Sequence, residues 1–205
     1  MTFLLFLTAA SLIALSPGPG IFYVAARTLA GGRSEGLASS LGTAVGGLFH
    51  VAAGAAGVSA LMMASAEAFT ALKIAGALYL VWLGIKAVRE ARLDMPVAAA
   101  GVGAGRAFRE GIVVEALNPK TAAFFLAFLP QFVDPSAGTV WLQFLGLGLV
   151  SVTLNTAVDV AVVVAAARAR SVALGRPTLL RRLRTGAGLV IASLGLGLLL
   201  TRRPA

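Results

Sequence analysis

The sequence has no cysteine, a single histidine and few charged residues. Without cysteine it can form no disulfide and offers no thiolate to a metal ion. One histidine excludes the HExxH type of zinc site, which needs two. The chain also contains neither a G-x-S-x-G nucleophile motif nor a Walker A sequence, so it supplies no hydrolase signature and no direct use of ATP. We therefore expect a protein that is not an enzyme and needs no cofactor.

The scarcity of charge also excludes an ordinary soluble domain. Charged residues make up 12% of the 205 residues and hydrophobic residues 59%, whereas soluble domains carry about 25% charged residues. The mean hydropathy is +0.92, and several runs approach the roughly 18 uncharged apolar residues of a membrane span. The sequence therefore predicts an all-α polytopic membrane protein embedded in the lipid bilayer.

Six transmembrane helices are predicted, with five spans and one re-entrant segment as the alternative. The small-residue linker 94–106 divides the chain into a first repeat, 1–93, and a second repeat, 107–205. Because each part has three spans, homologous halves would be inverted relative to each other. The predicted spans cover residues 3–26, 37–62, 68–88, 109–133, 140–166 and 183–201.

Basic residues are concentrated on one side of this arrangement. On a soluble protein the net charge of +9 would suggest nucleic acid, but here the basic residues lie at span ends, so we assign them to topology and expect no nucleic-acid partner. By the positive-inside rule, the loops after the first, third and fifth spans are cytoplasmic and both termini face outward. These loops hold twelve arginines: Arg27, Arg33, Arg89, Arg92, Arg106, Arg109, Arg168, Arg170, Arg176, Arg181, Arg182 and Arg184.

Proline interrupts the first and fourth predicted spans at corresponding positions. In LSPGPG and in NPK, a polar residue precedes a proline, which is the pattern of an N-cap and an N1 proline that start a new half-helix. Paired interruptions of this kind indicate a transporter binding site, since broken backbone is tolerated where it lines a cavity. A packing kink is the alternative for each break. The candidate binding residues at the breaks are Ser16, Pro17, Gly18, Gly20, Asn118, Pro119 and Lys120.

Ionisable residues inside the spans are further candidates, because each costs ~2.5–3.5 kcal/mol at mid-helix. The half-helix N-termini and Lys120 favour an anion such as a carboxylate. Asp159, with Asn155 one turn earlier on the same face, is predicted to bind a substrate ammonium or to carry a coupling proton. The alternative for Asp159 is a buried acid that is hydrogen-bonded for packing.

Two further ionisable residues have more than one interpretation. His50 shares a helix face with Gly42, Gly46 and Gly54, and such small-residue faces bring helices close together. His50 is either a hydrogen-bonded packing residue or a contact for a proton or substrate. Glu115 either pairs with Lys120 across the second break or lies near the inner interface.

Four motifs, in order along nearly the whole chain, resemble the LysE/RhtB family of bacterial amino-acid exporters. They are LSPGPG, LGTAVGGLFH, GALYLVWLGIKAVR and NPKTAAFFLAFLPQFV. The resemblance implies an inner-membrane protein that exports amino acids or close derivatives with the proton gradient as its energy source. It places family motif positions on Ser16 to Gly20, Gly42, Gly46, His50, Asn118, Pro119, Lys120 and Asp159. Glu115 departs from the family pattern, which often has a neutral residue there.

The sequence thus predicts a secondary transporter whose partners are an amino acid, protons and lipid, with a homodimer permitted by the glycine faces. In this hypothesis the substrate carboxylate meets the half-helix N-termini and Lys120, and its ammonium meets Asp159 with Asn155 or His50. Two alternatives stay open. One is a channel built from paired half-helices, and the other is a membrane partner protein that transports nothing.

Overall fold

The computed structural model describes residues 2–64, 66–89 and 101–169, together with Leu196. Within these residues the chain is helical and has no strand. The predicted sixth span lies outside them except for Leu196. The α-helices are α1 (Thr2–Leu15), α2 (Pro19–Ala64), α3 (Ala66–Arg89), α4 (Ala104–Ala116), α5 (Pro119–Ala123) and α6 (Val140–Ala169).

The segment after α5 is also helical but changes its winding. A π-helical turn covers Phe124–Phe128, and 3-10 turns follow at Leu129–Phe132 and Pro135–Ala137. Two described stretches, Pro19–Gly57 and Val140–Arg168, are long and apolar enough to cross a membrane. A third span results if α4 and the stretch from Pro119 to Phe132, which is bent by 42° relative to it, count as one.

The predicted boundary between the first and second spans coincides with a kink. Helix α2 consists of two helical stretches joined at one non-helical residue, Gly32, whose φ of 78° and ψ of −166° belong to a region that essentially only glycine occupies. A helix break therefore lies between predicted spans 3–26 and 37–62, but it is a kink at one glycine in place of a loop. The charge of Arg27, which suggested a loop, is accommodated in the helix, because its guanidinium lies 5.7 Å from the Tyr23 ring centroid and 3.9 Å from Glu35.

The predicted linker 94–106 ends earlier than expected, because α4 already begins at Ala104. The residue before α4, Gly103, has a φ of 85° and donates its backbone N–H to Glu35 Oε1 at 2.7 Å. This hydrogen bond joins the beginning of α4 to α2. The remainder of the linker before residue 101 lies outside the described residues.

An apolar core holds α1, α2, α6 and the segment after α5 together. The Phe6 ring meets the Phe132 ring edge-on at 5.5 Å, which joins the first half-helix to the segment that follows the second break. Phe125 packs against Phe144 of α6 with ring centroids 6.2 Å apart. The fully or nearly fully buried members include Phe6, Ala10, Ile13, Val51, Phe124, Phe125, Phe128, Leu129 and Phe144.

Helices α2 and α4 approach closely at glycines, which confirms the packing role predicted for the glycine face. A Cβ atom at Gly46 would lie 2.6 Å from the Ile112 carbonyl oxygen and 3.0 Å from the Ala116 nitrogen. A Cβ atom at Gly111 would lie 2.7 Å from the Ser39 carbonyl oxygen. Real Cβ atoms do not approach backbone so closely, so these positions require glycine.

We expect Gly46→Ala to lower the thermal unfolding temperature of the detergent-purified protein. The added methyl group meets backbone rather than a flexible side chain, and such overpacking typically costs about 1–3 kcal/mol. Gly57→Ala is the matched control in the same helix, since a Cβ there meets nothing within 4 Å and alanine favours helix. Equal unfolding temperatures for the two variants would contradict the close packing of α2 on α4.

Candidate functional site

The helix is interrupted between α1 and α2 and again between α4 and α5. Lys120, just after the second interruption, caps the helix end at the first. Helix α1 ends at Leu15 and α2 begins at Pro19, so the last carbonyl groups of α1 lack partners within their helix. Lys120 Nζ donates to the carbonyl oxygens of Ile13 at 3.2 Å and Ser16 at 2.8 Å. A cation is also favoured at this end of the helix dipole. Lys120 therefore stabilises the end of the first half-helix.

The second interruption is organised by Asn118 and Glu115. Asn118 Oδ1 caps α5 by accepting the backbone N–H of Lys120 at 3.1 Å, and Pro119 occupies the next position. Asn118 Nδ2 donates to Glu115 Oε2 at 2.9 Å, and Thr121 Oγ1 donates to Glu115 Oε1 at 2.6 Å. The buried Glu115, 3% exposed, thus accepts hydrogen bonds on both oxygens from neutral donors.

The two interruptions interlock at the glycines of LSPGPG. A Cβ at Gly18 would lie 3.2–3.3 Å from the end of the Lys120 side chain, and one at Gly20 would lie 2.6 Å from Glu115 Oε2. Both glycines therefore leave space for charged side chains from the second break. The sequence also predicts that Gly18 and Gly20 contact substrate through their backbone, and this stays a prediction.

His50 contacts the end of α4. Its Nε2 lies 2.9 Å from the Glu115 carbonyl oxygen, and because a carbonyl only accepts, Nε2 carries the hydrogen in this contact. The imidazole also stacks on the Phe125 ring, with centroids 6.0 Å apart and planes at 19°. This geometry matches the packing interpretation of His50, which caps the final turn of α4 much as Lys120 caps α1.

A cavity of ≈ 30 Å³ lies where α1, α2, α4, α6 and the segment after Asn118 meet. This volume holds about two water molecules. Apolar residues of α1, α2 and α6 and the rings of Phe124 and Phe125 form much of its wall. Its polar lining residues are Thr43, Glu115, Lys120, Thr121, Ser151 and Asn155.

The ion pair between Glu115 and Lys120, one of the two alternatives that the sequence left open for Glu115, does not form within 4 Å. Among the described residues, the ion pairs within 4 Å are Arg27 with Glu35 and Arg106 with Glu110. Lys120 is instead hydrogen-bonded to backbone carbonyls, and Glu115 to an amide and a hydroxyl group. The cavity is therefore lined by one cation and one anion that are not paired with each other.

Asp159 lies behind the cavity wall and reaches it through Thr43. Its side chain is 0% exposed, and Oδ2 lies 2.7 Å from Thr43 Oγ1. The Thr43 hydroxyl also lies 2.8 Å from the Ser40 carbonyl oxygen. Asp159 Oδ1 is buried with no hydrogen-bond partner among the described residues. Asp159 therefore contacts a cavity residue without lining the cavity itself.

Of the residues predicted from the sequence, Lys120 and Asn155 line the cavity, and Asp159 lies one contact away. Ser16 contributes its carbonyl oxygen to Lys120, and Asn118 positions Glu115. The sequence analysis singled out Glu115 without assigning it to the binding site, and it left out Thr43, Thr121 and Ser151. Ser151 could have been found, because it precedes Asn155 and Asp159 at a regular four-residue spacing on α6.

Together, the apolar helices, the interrupted backbone and the polar cavity define a membrane transport protein. The chain belongs to the LysE family, since the family model described as LysE type translocator matches residues 11–202. The family resemblance seen in the sequence motifs is thereby confirmed. The protein is a membrane translocator of a small molecule and not an enzyme.

Three similar proteins illustrate the family. The chain is 35% identical to an uncharacterized membrane protein of Vibrio cholerae over 156 residues, 76% of each chain. It is 34% identical to a homoserine/homoserine lactone efflux protein of Salmonella typhimurium over 75% of this chain and 74% of that one. It is 31% identical to a leucine efflux protein of Klebsiella pneumoniae, covering 73% and 71%. No solved structure gives a significant match.

Proposed function

We propose that the protein exports amino acids or close derivatives across the bacterial inner membrane as a secondary transporter coupled to protons. The observation that carries the proposal is the buried Lys120 ammonium at the junction of both helix interruptions and in the cavity wall. Relatives described as homoserine and leucine efflux proteins support the substrate class.

Lys120 supplies the contact for the substrate carboxylate. An ammonium group has three N–H donors, and two of these reach the carbonyl oxygens of Ile13 and Ser16. The third is available toward the cavity that Lys120 lines. A charged hydrogen bond in a buried site is stronger than a neutral one, so this donor selects a carboxylate.

Asp159 carries the coupling proton, with Thr43 as its connection to the cavity. A hydroxyl has one hydrogen, so Thr43 donates either to ionised Asp159 or to the Ser40 carbonyl. When Asp159 is protonated on Oδ2, it donates to Thr43, which then donates to Ser40, and both contacts of the Thr43 hydroxyl are satisfied. Protonation from outside removes one negative charge beside the substrate and thereby promotes release.

The architecture expected around this site is two inverted repeats of three spans, in which the first and fourth transmembrane spans are broken near the middle of the bilayer. The arginine-rich loops then face the cytoplasm and both termini face outward. Because the cavity holds only about two waters, an amino acid enters when the helices separate on one side.

The test is efflux from proteoliposomes that are preloaded singly with labelled leucine, homoserine or lysine. With the membrane potential held at zero, we expect saturable efflux of at least one of them, faster when the exterior is acidic than when pH is equal. Flux that neither saturates nor shows exchange would favour a channel. No efflux of any amino acid from correctly folded protein would overturn the transport proposal in favour of a partner protein.

A further inference from the structure

Glu115 has the properties of a ligand group that the proposed mechanism leaves unused. It lies on the last turn of α4, is 3% exposed and lines the cavity. A buried carboxylate is costly unless its charge is compensated. Yet within the described residues no lysine, arginine or histidine side chain lies within ion-pair distance of it.

The surroundings hold the Glu115 carboxylate in one place without neutralising it. Asn118 and Thr121 each donate one hydrogen bond, one to each oxygen. An ionised carboxylate has about four acceptor positions, so about two stay available. Gly20 and Gly46 leave space for the Glu115 side chain because they have no side chain of their own. A Cβ atom at Gly20 would lie 2.6 Å from Glu115 Oε2, and one at Gly46 would lie 2.8 Å from Glu115 Cβ.

The cavity wall therefore presents a fixed anion and a fixed cation that are not paired with each other. Lys120 and Glu115 are the charged residues in the lining, and the rest of its polar part consists of hydroxyl and amide groups from Thr43, Thr121, Ser151 and Asn155. A zwitterionic ligand bound between Lys120 and Glu115 pairs with both of these charges at once. Asp159, predicted from the sequence to meet the ammonium, lies behind Thr43.

We propose that the Glu115 carboxylate binds the α-ammonium group of the transported amino acid. This inference rests on the proposed function and makes Glu115 a determinant of specificity. Transported ligands need a protonated α-amine, so N-acylated amino acids are excluded. Because the lining offers one anion and one cation, it suits ligands whose side chain is uncharged.

Ligand-induced thermal stabilisation of the purified protein tests this inference without requiring transport. The probes are leucine, homoserine, leucinamide, which keeps the ammonium, and N-acetylleucine, which keeps the carboxylate. We expect leucine or homoserine to bind best and leucinamide to bind better than N-acetylleucine. In Glu115→Gln the amino acid binds about tenfold or more weakly, as loss of a charged hydrogen bond predicts, and the preference for leucinamide disappears.

Two variants separate ligand binding from structure. Glu115→Asp keeps the charge and should keep the preference for leucinamide. Glu110→Gln is the matched control on the same helix, since its carboxylate pairs with exposed Arg106 and lies outside the cavity. An unchanged preference in Glu115→Gln would overturn the role of Glu115. So would the absence of binding by every probe to the wild-type protein. Efflux measured in parallel decides separately whether the proposed function holds.

Discussion

Replacing Lys120 by methionine is expected to reduce amino-acid efflux by about 100-fold or more. The change removes the proposed carboxylate contact, and a loss of about 3 kcal/mol in a buried charged interaction corresponds to more than 100-fold. It also removes the Lys120 hydrogen bonds to the Ile13 and Ser16 carbonyl oxygens, and hydrogen bonds to charged groups contribute about 1.5–3 kcal/mol each. Initial efflux rates from proteoliposomes and the unfolding temperature in detergent measure the two effects.

The matched control is Arg106→Met. Arg106 is exposed and pairs with Glu110 within the first turns of α4, and exposed pairs are worth about 0–1 kcal/mol. This control should export at wild-type rates. Lys120→Arg keeps the charge, but the Lys120 side chain is close enough to Gly18 that even a Cβ there would lie 3.2–3.3 Å from it, so the larger guanidinium should recover only part of the activity. Wild-type efflux by folded Lys120→Met would contradict the role of Lys120.

The position of the helix interruptions could be predicted from the sequence, because proline and glycine act locally. The chain ends one helix at Leu15 and starts another at Pro19, and Asn118 and Pro119 form the expected cap and first turn. The spacing of Asn155 and Asp159 likewise follows from the helical period. These features depend on a few neighbouring residues, so no knowledge of the tertiary fold is needed.

The pairing of charges across the structure could not be predicted in this way. The sequence suggests that Lys120 pairs with nearby Glu115, whereas its ammonium reaches backbone more than one hundred residues earlier in the chain. That contact requires the two interrupted spans to be packed together. The packing role of the LSPGPG glycines was not foreseen for the same reason, because the side chains beside Gly18 and Gly20 come from the second break.

The boundary between the first two predicted spans was located correctly, but its form was not. Arg27 and Arg33 suggested a loop between residues 26 and 37, and the structure has a kink at Gly32 within this interval. The Arg27 guanidinium lies near the Tyr23 ring and Glu35. The basic residues therefore indicated the position of the helix break, whereas the contacts that reduce it to a single glycine depend on the folded structure.

Asp159→Asn is expected to abolish coupling to the pH gradient while exchange of substrate continues. With one proton per substrate and no membrane potential, about one pH unit sustains about a tenfold concentration ratio. The amide cannot gain or lose this proton, so the ratio in the variant should fall to about one. Asparagine has nearly the shape of aspartic acid and still accepts from Thr43, so the fold and the cavity are retained.

Two assays in the same proteoliposomes separate these effects. Net accumulation driven by the gradient measures coupling, and counterflow of labelled against unlabelled substrate at equal pH measures binding and movement. Asp134→Asn makes the same chemical change in an exposed turn, where Ser136 donates to the carboxylate, and should lose neither activity. If Asp159→Asn still accumulates substrate, the coupling proton is carried elsewhere. If it loses exchange as well, Asp159 contributes to substrate binding, and the ammonium contact assigned to Glu115 is shared or wrong.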